Sequence, residues 1–214
     1  MRKDLTDITL VVDRSGSMQA RQDEAQGGVN ALIKKQRKGD GEANLTLIQF
    51  DTEYEVVHNG VPIGDVGKYE LQPRGMTALL DAVGKAINEA KSRIKDVPKA
   101  ERPGLTVFVI VTDGMENASH EFTKEAVKAL VEKQQDKKGW QFIFLGADID
   151  AFAGAGSMGI NLAGAAVMDS SNYVGGYLAT DGNISRMRGS TMRGEMVMNV
   201  FTDEERKKMA EKKA

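Results

Sequence analysis

The chain has 214 residues, 29 basic and 31 acidic side chains for a formal net charge of -2, and an apolar fraction of 41%. That is the size and composition of one α/β globular domain with a substantial core, and the even charge balance gives no sign of a nucleic-acid partner. There is no cysteine, which excludes disulfide scaffolds, thiolate zinc sites and cysteine nucleophiles.

Met1-Arg2-Lys3-Asp4 leads almost at once into an apolar strand, Ile8–Val12, so no secretory h-region fits ahead of it. No apolar run approaches the length of a membrane span. The expectation is a soluble cytoplasmic protein. A helix is predicted from about Gln19 to Lys38, with Ala25, Val29, Leu32 and Ile33 on one face. Its basic end, Lys34, Lys35, Arg37 and Lys38, suits the helix dipole. Leu45–Phe50 is the second strand. Tyr54–His58 follows after only Asp51-Thr52-Glu53, a connection short enough to force an antiparallel hairpin.

A second helix is predicted over Thr77–Ile94, with Leu80, Val83, Ile87 and Ile94 as its stripe. Thr106–Val111 is nearly all apolar, as in a strand buried on both faces. Phe122–Lys137 reads as helix and Trp140–Leu145 as another buried strand. The Gly/Ala-rich stretch from Ala147 to Val167 carries no clear periodicity, and Asp148 and Asp150 are read there as caps of a short helix. Thr202-Asp203-Glu204-Glu205 matches a capping box. The division read from this is a main domain over 1–201 and a charged C-terminal helix over 202–214. Alternation of strand and helix predicts a doubly wound, mostly parallel six-strand sheet with one antiparallel edge strand and helices on both faces. Ligand sites in such sheets lie at the carboxyl ends of strands, where strand order reverses.

Three loops at that end carry oxygen-bearing residues: Asp13-Arg14-Ser15-Gly16-Ser17-Met18, Arg74-Gly75-Met76-Thr77 and Thr112-Asp113-Gly114-Met115. The first and fourth predicted strands are neighbours at the switch point, so their loops face each other. Asp13, Ser15 and Ser17 alternate along a turning loop, with Gly16 expected to permit the turn. Carboxylates and hydroxyls are hard donors and suit Mg²⁺, or Mn²⁺ and Ca²⁺, over zinc. Taken singly, Thr77 is most simply a helix N-cap and Asp113-Gly114 a turn.

Asp13-x-Ser15-x-Ser17, then Thr77, then Asp113 resembles the metal-ion-dependent adhesion site of von Willebrand factor type A domains. The longer strings Phe50–Val57 and Val111–Ser119 resemble a group of small bacterial and phage members of that family. The resemblance implies that Ser15 and Ser17 ligate the metal directly, and that Thr77 does so directly or through water. It implies that Asp13 and Asp113 act partly through waters and by holding the serines. It further implies an open position that takes the Asp or Glu of a protein partner; no acid or base is read beside the metal loops, so no catalysis is expected. Arg14 departs from the family's usual small or uncharged residue, and is expected to screen the site or, with Arg74, to draw an acidic group in. Met18, Met76 and Met115 adjoin the three loops, and two readings stay open: core packing, or an apolar rim around the metal.

Other signals are weaker. Gly154-x-Gly156-x-x-Gly159 matches a dinucleotide fingerprint in form but starts too far after its strand. Asp13 as a haloacid dehalogenase-type nucleophile would want a second aspartate where Ser15 stands. A non-catalytic role in a chelatase-like or stress-response ATPase assembly is the remaining alternative, since this chain carries no P-loop. His58 and His120 adjoin no nucleophile and are read as structural.

Overall fold

The computed structural model describes residues 1–147 and 149–212, and for 149–152 the backbone alone. Six strands form one sheet in the order β3-β2-β1-β4-β5-β6. They are β1 (Arg2–Asp13), β2 (Glu42–Phe50), β3 (Tyr54–Pro62), β4 (Pro103–Thr112), β5 (Gln141–Gly146) and β6 (Ala165–Val167). All neighbours run parallel except β2 and β3. The hairpin is closed by Asp51, whose N–H donates to the Glu53 carbonyl at 3.0 Å and whose carboxylate accepts the Glu53 N–H at 2.6 Å. This is the expected architecture, with β1 to β4 several residues longer than the apolar runs that announced them.

Strand periodicity divides the core in two. Ile8, Leu10, Val12, Val107, Val109 and Val111 face one side. Helices α1 (Gln22–Gln36) and α5 (Tyr173–Arg193) cover that side. Val11, Ile48, Phe50, Phe108, Ile110, Phe142 and Phe144 face the other. Covering it are α2 (Leu79–Asp96), α3 (Lys124–Lys138) and α4 (Ile149–Ser157). The predicted first helix splits into a 3₁₀ turn, Gly16–Arg21, followed by α1.

Two elements were not legible in the sequence. The 21-residue α5 is the longest helix of the described chain. The Gly/Ala-rich stretch resolves into α4, a 3₁₀ turn at Leu162–Gly164 and β6. Asp148 and the side chain of Asp150, read as caps, lie outside the described residues. The predicted capping box is present: the Thr202 hydroxyl accepts the Glu205 N–H at 3.1 Å, and Glu205 accepts the Thr202 N–H at 2.9 Å. It opens α6 (Asp203–Ala210), whose Met209 is fully buried. Beside it Arg206 donates to the Ala165 carbonyl at 2.8 Å and Phe201 N–H to that of Ala163 at 3.2 Å, covering the open edge of β6. Among the described residues no helix is long and apolar enough to cross a membrane.

Candidate metal centre

Pairing of β1 with β4 brings Asp13 and Thr112 to the same end of the sheet. The Thr112 hydroxyl donates to Asp13 Oδ2 at 2.6 Å, and the Ser15 N–H donates to Asp13 Oδ1 at 2.7 Å. Both oxygens of this fully buried carboxylate are thus held. Ser15 Oγ lies 3.0 Å from Ser17 Oγ, and Ser17 Oγ donates to Asp113 Oδ1 at 2.7 Å. Thr77 completes the group: a Cβ placed on Gly114 would sit 3.6 Å from Thr77 Oγ1 and 3.8 Å from Ser17 Oγ. All five side chains singled out in the sequence therefore converge. Asp13, Ser15 and Thr77 are buried, whereas Ser17 is exposed and Asp113 half-exposed.

The donor set fits a hard divalent cation. Among the described residues no three His, Cys, Asp or Glu side chains are grouped so that they could hold a metal ion. What gathers is two carboxylates and three hydroxyls. Octahedral Mg²⁺ with bonds of about 2.0–2.1 Å sets neighbouring ligand oxygens about 2.9 Å apart. The Ser15–Ser17 and Ser17–Asp113 separations, 3.0 and 2.7 Å, match that spacing. Burial, opposed by the bonds from Thr112 and Ser15 and reinforced by Asp113, pushes the Asp13 carboxyl up to about 6. Loss of solvent around the carboxylate is the main cause of that direction, and the nearby Asp113 charge is a lesser one.

Thr77 is not a helix cap. Helix α2 begins at Leu79 with Ala78 at its N-cap position and no side-chain cap of its own. The donors of its first turn go instead to the loop after β4. Thr77 N–H donates to Asn117 Oδ1 at 2.9 Å, Leu80 N–H to Glu116 Oε2 at 2.8 Å and Asp81 N–H to Ser119 Oγ at 3.0 Å. In return Asp81 accepts the N–H groups of His120, Glu121 and Phe122, each at 2.8–2.9 Å. This reciprocal capping locks the Thr77 loop to the Asp113 loop, and the string 116–119 that looked only family-like in the sequence has that task. His120 takes part through its backbone.

Arg14 does not face the site, contrary to expectation. It turns inward and is buried, donating to Asp51 Oδ2 at 2.8 Å and to Glu55 Oε2 at 2.5 Å. Arg74 shares Asp51 Oδ2 at 2.8 Å and also pairs with Glu53. Burial pushes the Asp51 carboxyl up, but the Glu53 N–H and the two guanidiniums outweigh it and hold it below the usual range. Backbone bonds complete the tie: Arg74 N–H to the Arg14 carbonyl at 2.8 Å, Gly16 N–H to that of Gly75 at 3.1 Å, Ala78 N–H to that of Asp51 at 3.0 Å. The left-handed turn falls at Gly75 (φ 69°), not at Gly16, and a Cβ there would lie 2.8 Å from Thr52 Oγ1. Asp51 and Thr112 are the supporting residues that sequence reasoning missed. An aspartate closing a hairpin and a threonine ending a strand are too common to stand out.

The methionines divide. Met18 is fully buried, with its sulfur 3.4 Å from the Tyr173 hydroxyl, while Met76 and Met115 stay 52% and 62% exposed. The glycine fingerprint lies largely within α4, with Gly154 and Gly156 inside the helix rather than between strand and helix.

Residues 7–158 match the model of the von Willebrand factor type A domain, and the chain belongs to that family. Solved structures share its fold at low identity. The pilus adhesin SpaC of Lactobacillus rhamnosus GG matches with TM-score 0.61 and 15% identity, over 85% of this chain and 30% of that one. The manganese-loaded TRAP protein of Plasmodium vivax matches with TM-score 0.57 and 17% identity, over 85% and 74%. Proximal thread matrix protein 1 of the mussel byssus, with a zinc-occupied metal-ion-dependent adhesion site motif, matches with TM-score 0.57 and 12% identity, over 88% and 47%. The chain thus spans under half of the mussel protein and under a third of the pilus adhesin. No curated protein sequence matches it.

Proposed function

We propose that this chain is a cation-dependent binding module: Asp13, Ser15, Ser17, Thr77 and Asp113 hold Mg²⁺, or Mn²⁺ or Ca²⁺, and a protein partner presents an Asp or Glu side chain to it. The observation that carries the reading is the convergence of two carboxylates and three hydroxyls from three loops, with Ser15, Ser17 and Asp113 at octahedral-edge spacing. Structural relatives described as manganese-loaded and zinc-occupied support a divalent metal here. The cation, when bound, supplies an electrophile for an outside carboxylate. The protein residues do the rest. Two carboxylates balance the divalent charge, and the three hydroxyls add none. Thr112 and the Ser15 N–H fix Asp13 so that the serine hydroxyls are aimed together.

Catalysis by Asp13 is disfavoured by the same geometry, since both its oxygens are engaged and the group is fully buried. The test is calorimetry with Mg²⁺ and Mn²⁺ on wild type and Asp13→Ala. One site per chain in the first and none in the second is expected, and equal binding by both sinks the assignment. For the partner, pull-downs with and without chelator compare wild type with Thr77→Ala. Thr77→Ala is expected to weaken the partner more than the metal. A partner retained through chelation contacts another surface.

A further inference from the structure

A groove of about 550 Å³ opens beside the metal loops, between the start of α2, the loop after β4, and α4. Leu80, Met115, Ala153 and Met158 give it an apolar lining, and Lys124 stands at its rim. Gly114 belongs to both places: it lines the groove, and a side chain on it would reach within 3.6 Å of Thr77 Oγ1. The groove is therefore continuous with the proposed cation position. Met115, 62% exposed on its wall, has no packing role to explain it. Glu116 also lines the groove, but its oxygens are taken up by the N–H groups of Leu80, Ala118 and Ser119 and by the Ser119 hydroxyl. The divalent cation at one end and the Lys124 ammonium at the rim therefore set the preference for an acidic chain.

Resting on the metal reading above, we propose that the groove is the specificity pocket of this module, and that the partner segment it takes is an acidic peptide. Its carboxylate goes to the cation, and a large apolar side chain at a fixed spacing fills the groove. A single carboxylate–metal contact cannot distinguish one acidic protein from another. An apolar pocket at a set distance can, because a missing apolar group leaves the surface unburied.

The experiment is selection of a displayed random-peptide library on the immobilised chain in Mg²⁺, with elution by chelator. Variants are Thr77→Ala, at the metal, and Ala153→Phe and Ser157→Phe, which fill the groove from α4 without touching a metal loop. Wild type is expected to select peptides with one Asp or Glu and one large apolar residue at constant spacing. Both groove-filling variants are expected to bind Mg²⁺ as wild type does in calorimetry, yet to hold those peptides about tenfold more weakly, the loss of one buried apolar side chain. Chelator-eluted acidic peptides without an apolar preference, or full affinity in both filled variants, overturn the pocket and leave the metal reading standing. A library returning no chelator-eluted acidic peptide overturns both.

Discussion

Asp81 shows how one carboxylate can hold a loop. It sits in the first turn of α2 and accepts three successive backbone N–H groups from residues 120–122. Burial pushes its pKa up, but those donors outweigh burial and hold it below the usual carboxylate range. A depressed folded pKa means its contribution is full above the unfolded value and is lost as pH falls through the folded one. Asp81→Asn keeps one acceptor oxygen and is expected to cost about 1–3 kcal/mol at neutral pH. Urea melts from pH 7 to pH 2 check the sign: the gap between wild type and variant should close in acid. A gap that stays constant means that the charge is not the source. The five candidate site residues were legible as a group because the fold brings their loops together and the motif names them. Asp51 and Thr112 were not, because their roles exist only once three loops meet.

At the scale of elements, the apolar runs of β1, β4 and β5 were legible because a strand buried on both faces needs no alternation to announce it. Helix α5 gave no such signal. It carries Gly175, Gly176, Gly182 and Gly189, and its buried side includes Thr180, Asn183 and Arg188 along with Tyr173 and Tyr177. Arg188 is satisfied by partners far away in sequence, such as the Gln36 carbonyl, which accepts from it at 2.9 Å. Close helix approach is the reason for small residues at the α1–α5 contact. A Cβ on Gly28 would lie 2.3 Å from the ring of Tyr177, whereas one on Gly27 meets nothing within 4 Å. Helix propensity favours alanine over glycine by about 1 kcal/mol at either place. At Gly28, forcing a fully buried ring aside costs about 1–3 kcal/mol, which wins. Gly27→Ala is therefore expected to raise stability and Gly28→Ala to lower it, measured by thermal or urea denaturation. The same sign for both would mean that α5 does not pack on α1 at this distance.

For the whole molecule, the proposed cation is a stabiliser by mass action, because the five ligands come together only in the folded state. At 100 times the dissociation constant the gain is about 2.7 kcal/mol. For a chain of this size that is a rise of about 5–10 °C in Tm. Differential scanning fluorimetry against MgCl₂ should show it in wild type and not in Asp13→Ala, and identical curves would remove the linkage.

The bonds that assemble the centre also set when it can exist during folding. Thr112 is 99 residues from Asp13, and Asp113 is 96 from Ser17. Closing loops of that span is slow compared with winding a helix, and contacts of high sequence separation form late. The centre is thus a clock for the end of the process: a chain with its helices formed but β1 and β4 unpaired has no such centre. In a stopped-flow refolding experiment, luminescence from terbium used in place of the divalent cation should rise after the far-ultraviolet circular dichroism signal. The two traces rising together would mean that β1–β4 pairing comes first and the helices form around it.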